Sequence, residues 1–196
     1  MFRRLTILVA TAALFAVLVP VALAARVHVR VEGKTRTIFG AAEPTLTSGP
    51  NALAALEAAS LAGEFYYHVN PGPFVNQIGR YPGEGFSGWS YKVNGIAPPI
   101  AADQAMIKDG DTVLWYWTTF TPAGGSPTLV LKRRAARNCY TVLSQDDLGK
   151  ARPAAGAMLS VDGRHASTRA GRGCVGRHRG LVRATAPGAV RSNAIR

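Results

Sequence analysis

Gly88-Trp89-Ser90-Tyr91-Lys92-Val93-Asn94-Gly95 is the stretch on which the first half of the chain turns. Trp89, Tyr91 and Val93 alternate with Ser90 and Lys92, the period of a strand with one apolar face. Asn94-Gly95 is a strong two-residue turn signal, because both residues tolerate positive φ. Further on, Lys108-Asp109-Gly110-Asp111 is a second turn, and residues 112–120 are rich in β-prone side chains. There Val113, Trp115 and Trp117 share a face and Tyr116 lies on the other. One alternate set must meet a core, so Trp115 and Trp117 read as packing residues.

Upstream, residues 27–31 alternate apolar and polar, Glu32-Gly33-Lys34 is a tight turn, and residues 35–39 form a second strand of a hairpin. Residues 41–50 read as a loop. Asn51 is a plausible N-cap, and residues 52–59 are helical by propensity, with Leu53, Leu56 and Ala59 on one face. Gly63 is expected to stop the helix. Residues 65–69 and 74–78 are short strands either side of the turn Asn70-Pro71-Gly72-Pro73, and residues 79–88 are a glycine-rich loop. A ββαβ start with more strands to follow predicts an α+β domain, one helix on a mostly antiparallel sheet.

Pro122-Ala123-Gly124-Gly125-Ser126-Pro127 is a linker by composition. Beyond it, short strands are expected at 129–131, 140–143, 157–161, 165–168, 174–175, 181–185 and 189–191. Turn signals such as Asp162-Gly163 and Pro187-Gly188 separate them, and no helical period appears. That is the pattern of a small all-β sandwich. The expected organisation is a leader at 1–24, an α+β domain at 25–121, a linker at 122–127 and a sandwich at 128–196.

The leader reads as a secretory signal. Arg3 and Arg4 precede an apolar run broken by Pro20, and Ala22-Leu23-Ala24 places cleavage between Ala24 and Ala25. An uncleaved anchor is the alternative, against which Pro20 and the small-residue site argue; no later segment is apolar enough to span a bilayer. Charge is divided unevenly. Residues 25–126 hold seven Lys/Arg against eight Asp/Glu, a net of −1, whereas residues 127–196 hold fourteen against three, a net of +11. Such a shift marks a domain boundary and suggests attraction to an anionic surface. Genome-wide use of arginine for solubility is the plainer explanation. The two cysteines, Cys139 and Cys174, are expected to pair, as cysteines of exported chains do. A catalytic thiol served by His165 or His178 is the alternative.

The residues at 88–95, with Lys108-Asp109-Gly110-Asp111 and Val113-Leu114-Trp115, resemble the transcobalamin C-terminal-like domain over residues 27–120. That bacterial module is similar to the small β domain of cobalamin carriers. The resemblance implies a β-grasp-like fold, a sheet gripping one helix. It also implies a ligand surface near the glycine-rich loop, at Phe86, Ser87, Gly88, Trp89 and Tyr91, with Tyr116 on the open sheet face. The helical cobalamin-binding domain of those carriers has no counterpart here, so cobalamin is a possible ligand without half of its clamp. Gly156-Ala157-Met158-Leu159-Ser160-Val161-Asp162-Gly163, with Thr168, Gly173 and residues 182–185, resembles the carboxypeptidase regulatory-like domain, a non-catalytic sandwich.

Motifs of catalysis are missing from the sequence. There is no G-x-S-x-G, H-E-x-x-H, C-x-x-C or P-loop. The four histidines lie far apart, without metal-ligand spacing. Asp109 and Asp111 form a possible calcium pair that is equally good turn chemistry. The chain is therefore expected to be a secreted or cell-envelope binding or adhesion module rather than an enzyme. Its partner would be a small ligand or an anionic envelope polymer, not nucleic acid. A cobalamin-type carrier and a structural protein holding anionic polymers through the basic half are the alternatives.

Overall fold

The computed structural model describes residues 24–196; the leader read at 1–24 lies outside them but for Ala24. Along the first half the elements are β1 (Ala25–Glu32), β2 (Thr37–Phe39), β3 (Thr45–Ser48), α1 (Ala52–Gly63), β4 (Tyr67–Asn70), β5 (Phe74–Ile78), β6 (Tyr81–Pro82), β7 (Ser87–Val93) and β8 (Thr112–Thr119). Five strands form one sheet in the order β2-β1-β8-β7, with β3 paired to β1. β1 and β2 make the expected hairpin. The central pair, β1 with β8, is parallel, and β7 and β8 are antiparallel. β3 falls inside the stretch read as a loop; its register with β1, Leu46 against Val27, supplies the order that its own pattern did not announce. β4, β5 and β6 form a separate small sheet.

The helix starts where the sequence predicts. The Asn51 side chain accepts from the Ala54 N–H at 2.8 Å, satisfying one of the orphan donors of the first turn. Two more, at Ala52 and Leu53, donate to the carbonyls of Ala105 and Ala102. Ala52, Ala55, Leu56 and Ala59 are the buried stripe. Its end differs from expectation. The left-handed cap is Glu64, at φ 50°, while Gly63 is still helical. Gly63 is needed for another reason: a Cβ there would come within 2.6 Å of the Phe39 ring.

Asn94 and Gly95 both take positive φ, and Val93 and Ile96 exchange hydrogen bonds across the turn. The chain then crosses beneath the helix start before entering β8. A clasp closes that excursion. Asn94 Nδ2 donates to Asp111 Oδ1 at 2.8 Å, and Asn94 Oδ1 accepts from the Thr112 N–H at 2.9 Å. Asp111 Oδ2 accepts from the Lys108 N–H at 2.9 Å, and Asp109 Oδ1 from the Arg26 N–H at 2.8 Å. The two turn motifs thus hold each other, with Asp111 engaged in turn geometry and Asp109 tying its turn to β1.

The second half comprises β9 (Thr128–Arg133), β10 (Cys139–Gln145), β11 (Ala151–Pro153), β12 (Met158–Val161), β13 (Arg164–Ser167), β14 (Arg172–Cys174) and β15 (Arg183–Thr185). β10 pairs with β9 on one side and with β11 and β14 on the other. β12 lies between β13 and β15 in a second sheet. Leu129, Leu131, Tyr140 and Val142 of the first sheet meet Leu159, Val161 and Ala184 of the second in one core. β11 was not foreseen, because Ala151-Arg152-Pro153 is exposed throughout and has no alternation. The strand expected at 189–191 is not one: Val190 makes only an isolated parallel bridge to Thr128.

The two faces of the five-stranded sheet are the main finding. Val27, Val29 and Val31, Trp89 and Tyr91, and Val113 and Trp115 face the helix in one core. The opposite face carries Arg30, Glu32, Lys92, Leu114, Tyr116 and Thr118, and all six are buried as well. The second half covers them. Tyr116 and Leu114 pack with Val190, and Lys92 Nζ donates to the carbonyls of Asp146 at 2.8 Å and Gln145 at 3.2 Å. The 122–127 segment is pinned rather than loose. Ser126 N–H donates to Thr118 Oγ1 at 2.6 Å and Gly125 N–H to Asp147 Oδ2 at 2.9 Å.

Candidate functional site

The six residues expected to meet a ligand fall into three environments. Phe86, 82 % exposed, stands at the loop tip, its carbonyl accepting from the Phe120 N–H. Ser87 beside it exchanges a hydrogen bond with the Thr119 hydroxyl at 2.8 Å, and Gly88 lies against Gly83. Trp89 and Tyr91, each 9 % exposed, point to the helix side. Trp89 Nε1 donates to the Tyr81 carbonyl at 2.8 Å and stacks edge-on to Trp117; the Tyr91 hydroxyl donates to the Ile100 carbonyl at 2.7 Å. Burial, with the Asp103 charge nearby, raises the Tyr91 phenol.

Tyr116 has no exposed surface and lies on the far face of the sheet. The Lys92 ammonium sits 5.7 Å from its ring centre, and its hydroxyl donates to Asp147 Oδ1 at 3.2 Å. Burial raises this phenol strongly and lowers the Lys92 ammonium, the latter opposed by Asp147 at 3.4 Å. Tyr116 therefore lies wholly in the interior, and Trp89 and Tyr91 are mostly buried. That leaves Phe86, with Ser87 and Gly88, as the accessible part of the expected set. Their alternation is equally that of core residues, which is why sequence could not separate the two roles.

A second arrangement was not singled out from sequence. Residues 134–138 join β9 to β10, and residues 175–180 follow β14. The Cys139–Cys174 disulfide bonds residues directly opposed in the β10–β14 register, and so ties the two loops at their roots. Val175 N–H donates to the Asn138 carbonyl at 2.9 Å. His178 Nδ1 lies 2.9 Å from the Gly180 carbonyl, and Nε2 lies 2.9 Å from the Tyr140 hydroxyl. A carbonyl only accepts, so Nδ1 donates to it, and Nε2 shares a hydrogen bond with the Tyr140 hydroxyl. Asp162 Oδ2 accepts from the N–H groups of Arg179 and Gly180 at 3.2 and 3.4 Å, which holds its carboxyl below the usual range.

Between these loops is a depression of about 390 Å³. Arg133, Arg134, Arg137, Arg179 and Arg196 line it, with Tyr140 and His178, and no Asp or Glu side chain is among its walls. Its chemistry is that of an anion receptor: exposed guanidinium forks, each able to bind an oxyanion bidentately. Sequence held the signal. Arg133-Arg134 and Arg137 lie within six residues before Cys139, and Arg177-His178-Arg179 within five residues after Cys174. Pairing those cysteines brings the two arginine runs side by side. Among the described residues, no three His, Cys, Asp or Glu side chains converge to hold a metal ion, and no helix is long and apolar enough to cross a membrane.

Residues 49–119 match the model of a domain of unknown function (DUF4430), a stretch that spans α1 to β8 and leaves the arginine depression outside. No curated protein and no solved structure matches the chain.

Proposed function

We propose that this chain is an exported, non-enzymatic binding protein that holds anionic polymers of the cell envelope through its basic half. One observation carries the reading. Of the fourteen Lys and Arg beyond residue 126, Arg164, Arg183 and Arg191 form ion pairs; the other eleven are exposed and form none with a described carboxylate. A surface left so uncompensated repels itself and attracts polyanions. A chain using arginine only for solubility would scatter them, whereas five of the eleven line one depression.

The leader of residues 1–24 and the disulfide support export, since disulfides persist in oxidising compartments. The near-neutral half serves as scaffold. A β1–β2 hairpin, one helix and a central parallel β1–β8 pair support the β-grasp reading and the resemblance to the transcobalamin C-terminal-like domain, which encloses the matched residues 49–119. The facing sheets of the second half support the sandwich reading. Burial of Trp89, Tyr91 and Tyr116 weakens the small-ligand carrier reading, cobalamin included.

Titrating the protein with poly(glycerol phosphate) at stepped ionic strength tests the proposal. Binding that falls steeply with added salt is expected, because exposed charges are screened within about 8–10 Å at physiological salt. No binding at low salt, or binding indifferent to salt, rejects it.

A further inference from the structure

We infer that the arginine depression is a discrete subsite for a single phosphate or sulfate ester group, so that the basic half grips its polymer at one point rather than by diffuse attraction. This rests on the polyanion reading and deepens it.

Three features separate the depression from the rest of the charged surface. The first is convergence. Arg133 closes β9, Arg134 and Arg137 come from the β9–β10 connection, Arg179 from the loop after β14, and Arg196 from a third segment. No Asp or Glu side chain lines the wall to neutralise them.

The second is rigidity. Long basic side chains bind weakly when their backbones must be ordered at the same time. Here both backbones are already held. The disulfide, the Val175–Asn138 hydrogen bond and the Tyr140–His178 pair tie loop to loop. Asp162, accepting from Arg179 and Gly180, fixes the second loop from behind, and Arg164 Nη2 donates to the Arg177 carbonyl at 2.9 Å. Asp162 is thus spent on backbone and lies outside the lining residues.

The third is size and valence. About 390 Å³ exceeds the room one oxyanion needs and falls at the lower end of small-ligand pockets. It suits an ester group together with part of the unit that bears it. A phosphate or sulfate monoester presents three terminal oxygens to a carboxylate's two, and so occupies more guanidinium forks at once; a phosphodiester, with two, lacks that advantage. The Tyr140 phenol, raised by burial, stays protonated on the floor and adds no negative charge.

Calorimetry on the full chain tests this with four probes: glycerol 3-phosphate, a glycerol phosphodiester, inorganic sulfate and citrate. Expected is saturable one-to-one binding of the phosphate and sulfate probes, with citrate weaker. The monoester and diester arms show whether a polymer's end group or its backbone is taken. Arg134→Ala with Arg137→Ala should weaken binding by about tenfold or more, as loss of charge-assisted contacts does. Lys150→Ala with Arg169→Ala, exposed cations outside the depression, should change it by less than about twofold. Arg134→Lys should lie between, because it keeps the charge and loses the fork. Equal losses in the two double variants, unsaturable binding, or no binding of any ester probe overturns the subsite. If poly(glycerol phosphate) still binds in those cases, the polyanion reading survives without it. If the wild-type protein binds no polymer, that reading falls as well.

Discussion

Arg191 Nε lies 3.0 Å from Glu32 Oε2, across 159 residues of sequence. Glu32 has no exposed surface, and it also accepts from Arg183, from Arg30 at 3.3 Å and from the Thr37 hydroxyl. Arg30 Nη1 in turn donates to the Arg191 carbonyl at 2.6 Å, and Arg30 Nε to Glu43 at 3.1 Å. One carboxylate at the end of β1 thus gathers guanidinium groups from both halves. Burial lowers the Arg183 guanidinium, and the Glu32 charge opposes that. The interface is polar, and its geometry leaves little freedom for the halves to separate without stranding charge.

Glu32→Gln should therefore destabilise the fold by about 3–5 kcal/mol, the usual result of removing one partner from a buried charge network. Chemical denaturation is the measurement, with separation into two transitions as an added sign of loosened halves. A loss below about 1 kcal/mol would place the network among inconsequential surface pairs.

Removing the disulfide with Cys139→Ser and Cys174→Ser should cost about 3–4 kcal/mol, from the entropy of a loop closed across 35 residues. Because the bond roots both arginine loops, ester binding should fall even where the variant is still folded. Unchanged affinity in a folded variant would show that the other ties suffice.

Asp162→Asn should weaken ester binding several-fold by freeing residues 177–180, and its effect on stability should depend on pH. The folded carboxyl lies below its ordinary value, chiefly through the Arg179 and Gly180 N–H groups. Between the two values the unfolded chain binds more protons, so the contribution is complete above about pH 4 and is lost as pH falls through the depressed value. Wild type and variant should differ at pH 6 and converge at strongly acid pH. A difference that widens on acidification would contradict the assignment.

Trp89→Ala should cost about 3–5 kcal/mol, as truncation of a buried aromatic does. Phe86→Ala should stay within about 0.5 kcal/mol, since its ring is in solvent. Paired thermal or urea unfolding checks both. A near-neutral Trp89→Ala would return that residue to the list of surface contacts.

Much of the first half was legible because its signals are local. Asn51 caps a helix through its own side chain, Asn94-Gly95 turns because both residues accept positive φ, and alternation sorts Trp89, Tyr91 and Trp115 onto one face. Gly63 misled because a glycine at a helix end reads as a left-handed cap, whereas here it makes room for Phe39. β11 was silent because an exposed edge strand is ordered by its neighbour, not by its own pattern.

By itself the sequence determined which side chains share a strand face, where the chain turns, that charge collects beyond residue 126 and that Cys139 and Cys174 should pair. Only the tertiary structure decided what covers the second face of the sheet. Period-2 alternation says that Arg30, Glu32, Lys92 and Tyr116 point away from the helix, and a polar set so placed reads as solvent-facing. Burying it requires partners supplied from elsewhere in the chain: Arg183 and Arg191 for Glu32, the Asp146 and Asp147 turn for Lys92 and Tyr116. Their apposition is a property of how the two halves dock, and no local pattern encodes it.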